Sequence, residues 1–163
     1  LMHVVAAKAV CFKEALSEEF KKYTSNVISN AKVLSETLIE NNFKIFSGGT
    51  DTHLMLVDLR PYGVTGKDAE ESLGRANITC NKNGIPFDTE KMTITSGIRL
   101  GSQAATTRGF GLNEFKKVGE LITKVVKGLS SNPEDNSKTE SEVRKEVIEL
   151  CSKFPIYNHL NKK

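Results

Sequence analysis

Thr95-Ser96-Gly97-Ile98-Arg99 sets an arginine two places after a glycine, in a run of β-favouring residues (Thr93, Ile94, Thr95, Ile98, Leu100). A strand fixes the direction of its side chains, so this guanidinium is expected to be aimed rather than free. An aimed guanidinium suits a planar carboxylate, which it grips with two parallel hydrogen bonds. Upstream lies a polar cluster, Asn77-Ile78-Thr79-Cys80-Asn81-Lys82-Asn83, running into Gly84-Ile85-Pro86. An asparagine amide carries a donor and an acceptor side by side and matches the edge of a heteroaromatic ring. Together the two segments point to a small amino acid and a ring-bearing cofactor. The residues alone leave bland alternatives open: a structural ion pair for Arg99 and an ordinary surface turn for 81–86.

Other candidates are weaker. Arg108, in Thr107-Arg108-Gly109-Phe110, reads as a tie on a turn through carbonyl hydrogen bonds. His3, His53 and His159 have no metal-ligand spacing, and no Ser-His-Asp or Cys-His set can be argued. Gly48-Gly49 is a turn before a strand, not a phosphate loop before a helix. Asp68, Glu70, Glu71 and Lys116-Lys117 read as solvated charge.

The chain of 163 residues is 38% hydrophobic and 26% charged, the balance of a globular domain. A net charge of +3 is too mild to call for nucleic acid, and basic and aromatic residues do not interleave. No apolar run approaches the roughly 18 residues of a membrane span. Cys11, Cys80 and Cys151 are odd in number and far apart, which fits reduced thiols and a cytoplasmic setting. The first residues lack the basic start of a signal peptide and already read as helix, so a fragment of a longer chain is expected.

These segments must be positioned by their neighbours. Residues 2–16 predict a helix with Val5, Ala9, Phe12 and Leu16 on one stripe. Ser17 caps a long helix over 17–42, with Phe20, Val27, Ala31, Leu34 and Leu38 inward and an end near Asn41-Asn42. Strands are expected at 43–46, 53–59, 78–80 and 93–100, the last broken at Ser96-Gly97. Thr65-Gly66-Lys67-Asp68 opens a short helix to Arg75, and 81–91 is expected as a loop. A helix from an Asn113 cap to about Gly128 buries Phe115, Val118, Leu121, Ile122, Val125 and Leu129. After a polar linker over 130–139, a last helix over 140–154 carries Val143, Val147, Leu150 and Cys151. The order is that of an α+β lobe, helices packed on a small sheet, with the first helix ill at ease in it. Residues 158–163 are expected to fray.

The strings Ala6-Ala7-Lys8-Ala9-Val10, Ser47-Gly48-Gly49-Thr50-Asp51, Leu73-Gly74-Arg75-Ala76-Asn77-Ile78-Thr79, Asn81-Lys82-Asn83, Thr95-Ser96-Gly97-Ile98-Arg99 and Thr107-Arg108-Gly109-Phe110 resemble the C-terminal portion of the bacterial serine hydroxymethyltransferases. The resemblance covers nearly the whole chain. It implies the C-terminal small domain of an aspartate-aminotransferase-like (fold type I) enzyme dependent on pyridoxal phosphate. Such enzymes interconvert serine plus tetrahydrofolate with glycine plus 5,10-methylenetetrahydrofolate, as homodimers. It implies that 1–16 end the large cofactor-binding domain, 17–42 connect, and 43–157 form the small domain. Arg99 is then the substrate-carboxylate arginine and Asn83 lies at the folate site. Lys91, Met92 and Thr93 fall where the family has a folate-contacting stretch, commonly Ser-Pro-Phe. Their side chains differ, so contact there would rest on backbone groups. Ser102-Gln103-Ala104 replaces the usual Thr-Pro-Ala and gives up a rigid proline. The family's Schiff-base lysine in Thr-Thr-His-Lys is not in this sequence. The alternative is a lobe that only binds ligand or dimerises, without chemistry.

Overall fold

Alternating apolar residues on two neighbouring strands divide the sheet into a closed and an open face. Strand β2 (Leu54–Asp58) runs antiparallel to β4 (Gly97–Gly101), with Met55 opposite Leu100 and Val57 opposite Ile98. Side chains two apart share a face, and all four of these are buried. Strand β1 (Lys44–Ile45) joins the far edge of β2, and β3 (Asn81–Asn83) the far edge of β4. The result is a four-stranded antiparallel sheet in the order β1-β2-β4-β3. The computed structural model describes residues 1–157; the tail expected to fray lies outside the described residues.

Helices cover the closed face. In α2 (Glu18–Glu40), the Ser17 hydroxyl accepts the Phe20 N–H at 3.2 Å, satisfying one orphan donor of the first turn. Val27, Ala31, Leu34 and Leu38 then fall on one buried stripe, as the spacing predicts, while Phe20 at the near end stays exposed. Each fully buried leucine contributes about 1.5–3 kcal/mol. Helix α5 (Leu112–Ser131) packs beside α2, and α3 (Gly66–Arg75) packs against α5, with Leu73, Leu121, Ile122 and Val125 in the same core. Helix α6 (Ser137–Ser152) closes the side through Val143 and Val147. This is the α+β lobe of helices on a small sheet that the sequence predicts.

The first helix, α1 (Met2–Ala15), forms as expected, but none of its residues is buried, and Val5, Phe12 and the following Leu16 stand exposed. Five further local expectations are corrected. The strand expected at 78–80 lies at Asn81–Asn83, because the Ile78 N–H turns back to the Leu73 carbonyl at 2.8 Å and Asn77 is left-handed (φ 64°), closing α3 instead. The strand expected from Thr93 begins at Gly97, since Thr95 is also left-handed (φ 60°). A short helix α4 (Gln103–Arg108) fills the segment before Gly109. Helix α5 starts at Leu112 rather than after an Asn113 cap, with the Glu114 carboxylate accepting the Gly111 N–H at 2.9 Å, and α6 begins at Ser137 rather than 140.

Candidate functional site

Since Ile98 and Leu100 point into the core, Arg99 between them points to the open face. The register sets Arg99 opposite Leu56 of β2 on one side and Asn81 of β3 on the other. Its Nη2 donates to Asn81 Oδ1 at 3.5 Å, the long limit for a hydrogen bond. Asn83, two places along β3 and opposite Gly97, shares this face. The sheet therefore brings Arg99, Asn81 and Asn83 together.

Neighbouring cations are committed elsewhere. Arg60 grips Asp58 with Nε on Oδ1 at 2.9 Å and Nη2 on Oδ2 at 2.7 Å, and Lys44 stands 3.5 Å from the same carboxylate. These bonds, the Arg60 side chain foremost, hold the Asp58 carboxyl below its usual range. Lys82 faces the helices, where it pairs with Glu70 at 2.8 Å, so Glu70 is not a solvated charge and its carboxyl is lowered by that bond. Arg75 is bound bidentately to buried Glu140. Arg108 donates to the Phe154 and Cys151 carbonyls at 2.5 and 3.0 Å, the carbonyl tie read from its sequence. Among the described residues no carboxylate pairs with Arg99.

The aim of Arg99 depends on Gly97. A Cβ there would stand 2.7 Å from the Val57 carbonyl oxygen and 3.2 Å from that of Asn83, and would overlap the Ile85 side chain. Only a glycine lets the three strands close at this point. Gly66 is equally tight against the Thr95 side chain and the Gly97 carbonyl. There the first N–H groups of α3 reach the connection: Gly66 and Lys67 donate to the Thr95 and Ile94 carbonyls, each at 2.9 Å.

Lys91, Met92 and Thr93 lie in the turn of the 84–96 connection and are exposed, Met92 at 94%. The Lys91 carbonyl is taken up locally, accepting the Ile94 and Thr95 N–H groups at 2.8 and 2.9 Å. The connection is gathered by Asp88, which accepts four hydrogen bonds from Ile85, Glu90 and Ser96. Partial burial pushes the Asp88 carboxyl up, but the bonds from Ser96, Glu90 and Ile85 outweigh it and hold it well below the usual carboxylate range. The sequence reading names Asn81 only within the polar 81–86 segment, without a place beside Arg99, and misses Asp88. The alternation of Asn81 with Asn83 signals the first, and an Asx turn after Pro86 the second.

Two clefts, of about 640 and 510 Å³, lie nearby: one among α2, the 46–52 loop and β2, reaching Leu56 opposite Arg99, the other among α4, α5 and α6. Arg99, Asn81 and Asn83 line neither, so they form an open half-site. Among the described residues no cluster of His, Cys, Asp and Glu could hold a metal ion, and no helix is long and apolar enough to cross a membrane.

A family model described as serine hydroxymethyltransferase matches residues 1–122. The chain belongs to the serine hydroxymethyltransferase family. It is 73% identical over 160 residues to a serine hydroxymethyltransferase of Pelagibacter ubique (strain HTCC1062), covering 98% of this chain and 37% of that protein. It is 65% identical over 157 residues to one of Paramagnetospirillum magneticum, and 60% identical over 157 residues to one of a Marinomonas species, each covering 96% of this chain and 37% of the relative. The chain thus spans little more than a third of these relatives' length.

Proposed function

We propose that this chain is the C-terminal part of a cytoplasmic, homodimeric serine hydroxymethyltransferase of the aspartate-aminotransferase-like fold (fold type I). The complete enzyme interconverts serine and tetrahydrofolate with glycine and 5,10-methylenetetrahydrofolate. Residues 1–16 end its large domain, 17–42 connect, and 43–157 form its small domain. The exposed apolar residues of α1 support that division, because such a surface calls for a covering one. Pyridoxal phosphate, held by the rest of the polypeptide, supplies the electron sink when bound.

The observation that carries this reading is Arg99: a guanidinium on a strand entered through a tightly packed glycine, facing the open side with no carboxylate partner among the described residues. Its planar fork would take the substrate carboxylate with two N–H donors and fix the rotation of the amino acid. Asn83 on the same face would offer its amide to the pterin edge. Lys91, Met92 and Thr93 would contribute backbone groups beside it.

Arg99→Lys in the complete polypeptide tests the assignment. Lysine keeps the charge and loses the fork, leaving the carboxylate poorly paired at a cost of roughly 3–5 kcal/mol. Serine kcat/KM is expected to fall by about two to four orders of magnitude. Near-normal serine affinity and turnover would overturn the role.

A further inference from the structure

The connection between β3 and β4 is organised by one side chain. Asp88 Oδ2 accepts the Ser96 N–H at 2.9 Å and the Ile85 N–H at 3.2 Å. Its Oδ1 accepts the Ser96 hydroxyl at 2.6 Å and the Glu90 N–H at 3.0 Å. Ile85 follows Asn83 by two residues, Glu90 precedes Lys91, and Ser96 adjoins Gly97. Ser96 is in turn fixed to the end of β2, its carbonyl accepting the Leu59 N–H at 3.0 Å. Four donors from three points of one connection converge on a group that has only acceptors to offer.

We propose that Asp88 is a positioning residue that locks the Asn83 end and the Lys91–Thr93 end of this connection to the root of the Arg99 strand, so that the ring-binding and carboxylate-binding halves of the site share one anchor. This rests on the function proposed above for Arg99 and Asn83. An amide in place of the carboxylate would set its NH₂ against a backbone N–H at either oxygen position. Neutralising the charge without changing the shape therefore releases the connection. Arg99 stays on β4, whose pairing with β2 does not involve Asp88.

The test compares Asp88→Asn, Asp88→Glu, Ser96→Ala and Arg99→Lys in the complete polypeptide. Asp88→Asn is expected to raise KM for tetrahydrofolate about tenfold and for serine about threefold, while kcat per folded site changes less than about threefold. Asp88→Glu, which keeps the acceptors, recovers part of the loss, and Ser96→Ala shows the same pattern more weakly. A residue that only supported folding would lower the folded fraction and leave both KM values alone. Without any ligand, Asp88→Asn is also expected to speed hydrogen exchange at the Ile85, Glu90 and Ser96 amides about tenfold or more, with Met55 and Leu100 unchanged. Unchanged exchange at those three amides overturns the proposal, and so do unchanged KM values in a background where Arg99→Lys abolishes serine binding. If Arg99→Lys is harmless, the reading of the site fails, while the exchange data still decide whether Asp88 is the clamp. If Asp88→Asn does not fold, Ser96→Ala decides on the same readouts.

Discussion

Gly97→Ala is a one-methyl change whose cost follows from the contacts around it. The added Cβ would lie 2.7 Å from the Val57 carbonyl oxygen of β2 and 3.2 Å from the Asn83 carbonyl oxygen of β3. Both are backbone atoms of flanking strands, so no rotamer change removes the overlap. The third neighbour, the Ile85 side chain, is 6% exposed and has little room to turn away. Overpacking of this kind costs about 1–3 kcal/mol, and two backbone neighbours place this site at the upper end. For a chain of this size roughly 3 kcal/mol lowers Tm by about 6–12 °C. Gly74→Ala is the matched control: it sits in α3 with nothing within 4 Å of an added Cβ, so it is expected to stabilise by about 0.5–1 kcal/mol through helix propensity. Thermal and urea unfolding followed by circular dichroism measures both. A Gly97→Ala protein within about 0.5 kcal/mol of the parent would refute the claim that strand closure requires glycine.

Glu140→Ala removes the acceptor of the Arg75 Nε and Nη2 bonds, both 2.7 Å, and of the Ser72 hydroxyl at 2.6 Å. Arg75 can return to water, so the cost is concentrated in buried Ser72 and Asn136 and is expected to be about 1.5–3 kcal/mol by urea unfolding. Acid acts with the same sign on several groups. The Arg75 bond lowers the Glu140 carboxyl, the Arg60 bond lowers Asp58, and Asp88 is lowered despite its burial. Folded pKa values below the unfolded ones contribute stability above the ordinary carboxylate range, lost as pH falls. A urea midpoint series is therefore expected to be flat from neutral to about pH 5 and to drop below it. Burial, with the Glu70 charge, pushes the Cys80 thiol up to about 12, whereas Cys11 is exposed. At pH 8 an alkylating reagent followed by mass spectrometry should mark Cys11 promptly and Cys80 only on unfolding. The stability held by the neutral Cys80 thiol is lost as pH rises from about 8.5 toward the folded value.

What was legible in the sequence had a period. Residues 27, 31, 34 and 38 announce the buried stripe of α2, and apolar 98 and 100 around Arg99 announce which way the arginine faces. What was not legible depends on partners distant in sequence. Asn81–Asn83 is a strand because β4 lies beside it, while the more β-favouring Ile78 is diverted by the end of α3. Helix α4 has no apolar period of its own; it is held to α2 by the Ser102 hydroxyl on the Val27 carbonyl at 2.7 Å and by the Asn30 amide on Thr106 at 2.9 Å. The four bonds of Asp88 reach two to eight residues along the chain, a span that leaves no pattern in composition or spacing.

Three arginines are used by the fold, whereas Arg99 on β4 and the exposed Arg144 of α6 have no carboxylate partner among the described residues. Arg60, Arg75 and Arg108 each satisfy a carboxylate or helix-end carbonyls, and removing any of them leaves a group on this chain without its donor. Arg99 satisfies nothing comparable: its amide partner is at 3.5 Å and contributes little to stability. Yet its strand is paired on both sides, as β2 is, and is entered through a glycine with no room for a Cβ. Rigidity around a side chain that does not stabilise the fold is what a binding group requires, since its orientation is then set before the ligand arrives and less freedom is lost on contact. The same two-residue period that buries Ile98 and Leu100 turns Arg99, Asn81 and Asn83 onto one uncovered face, so core packing and site geometry have a single cause.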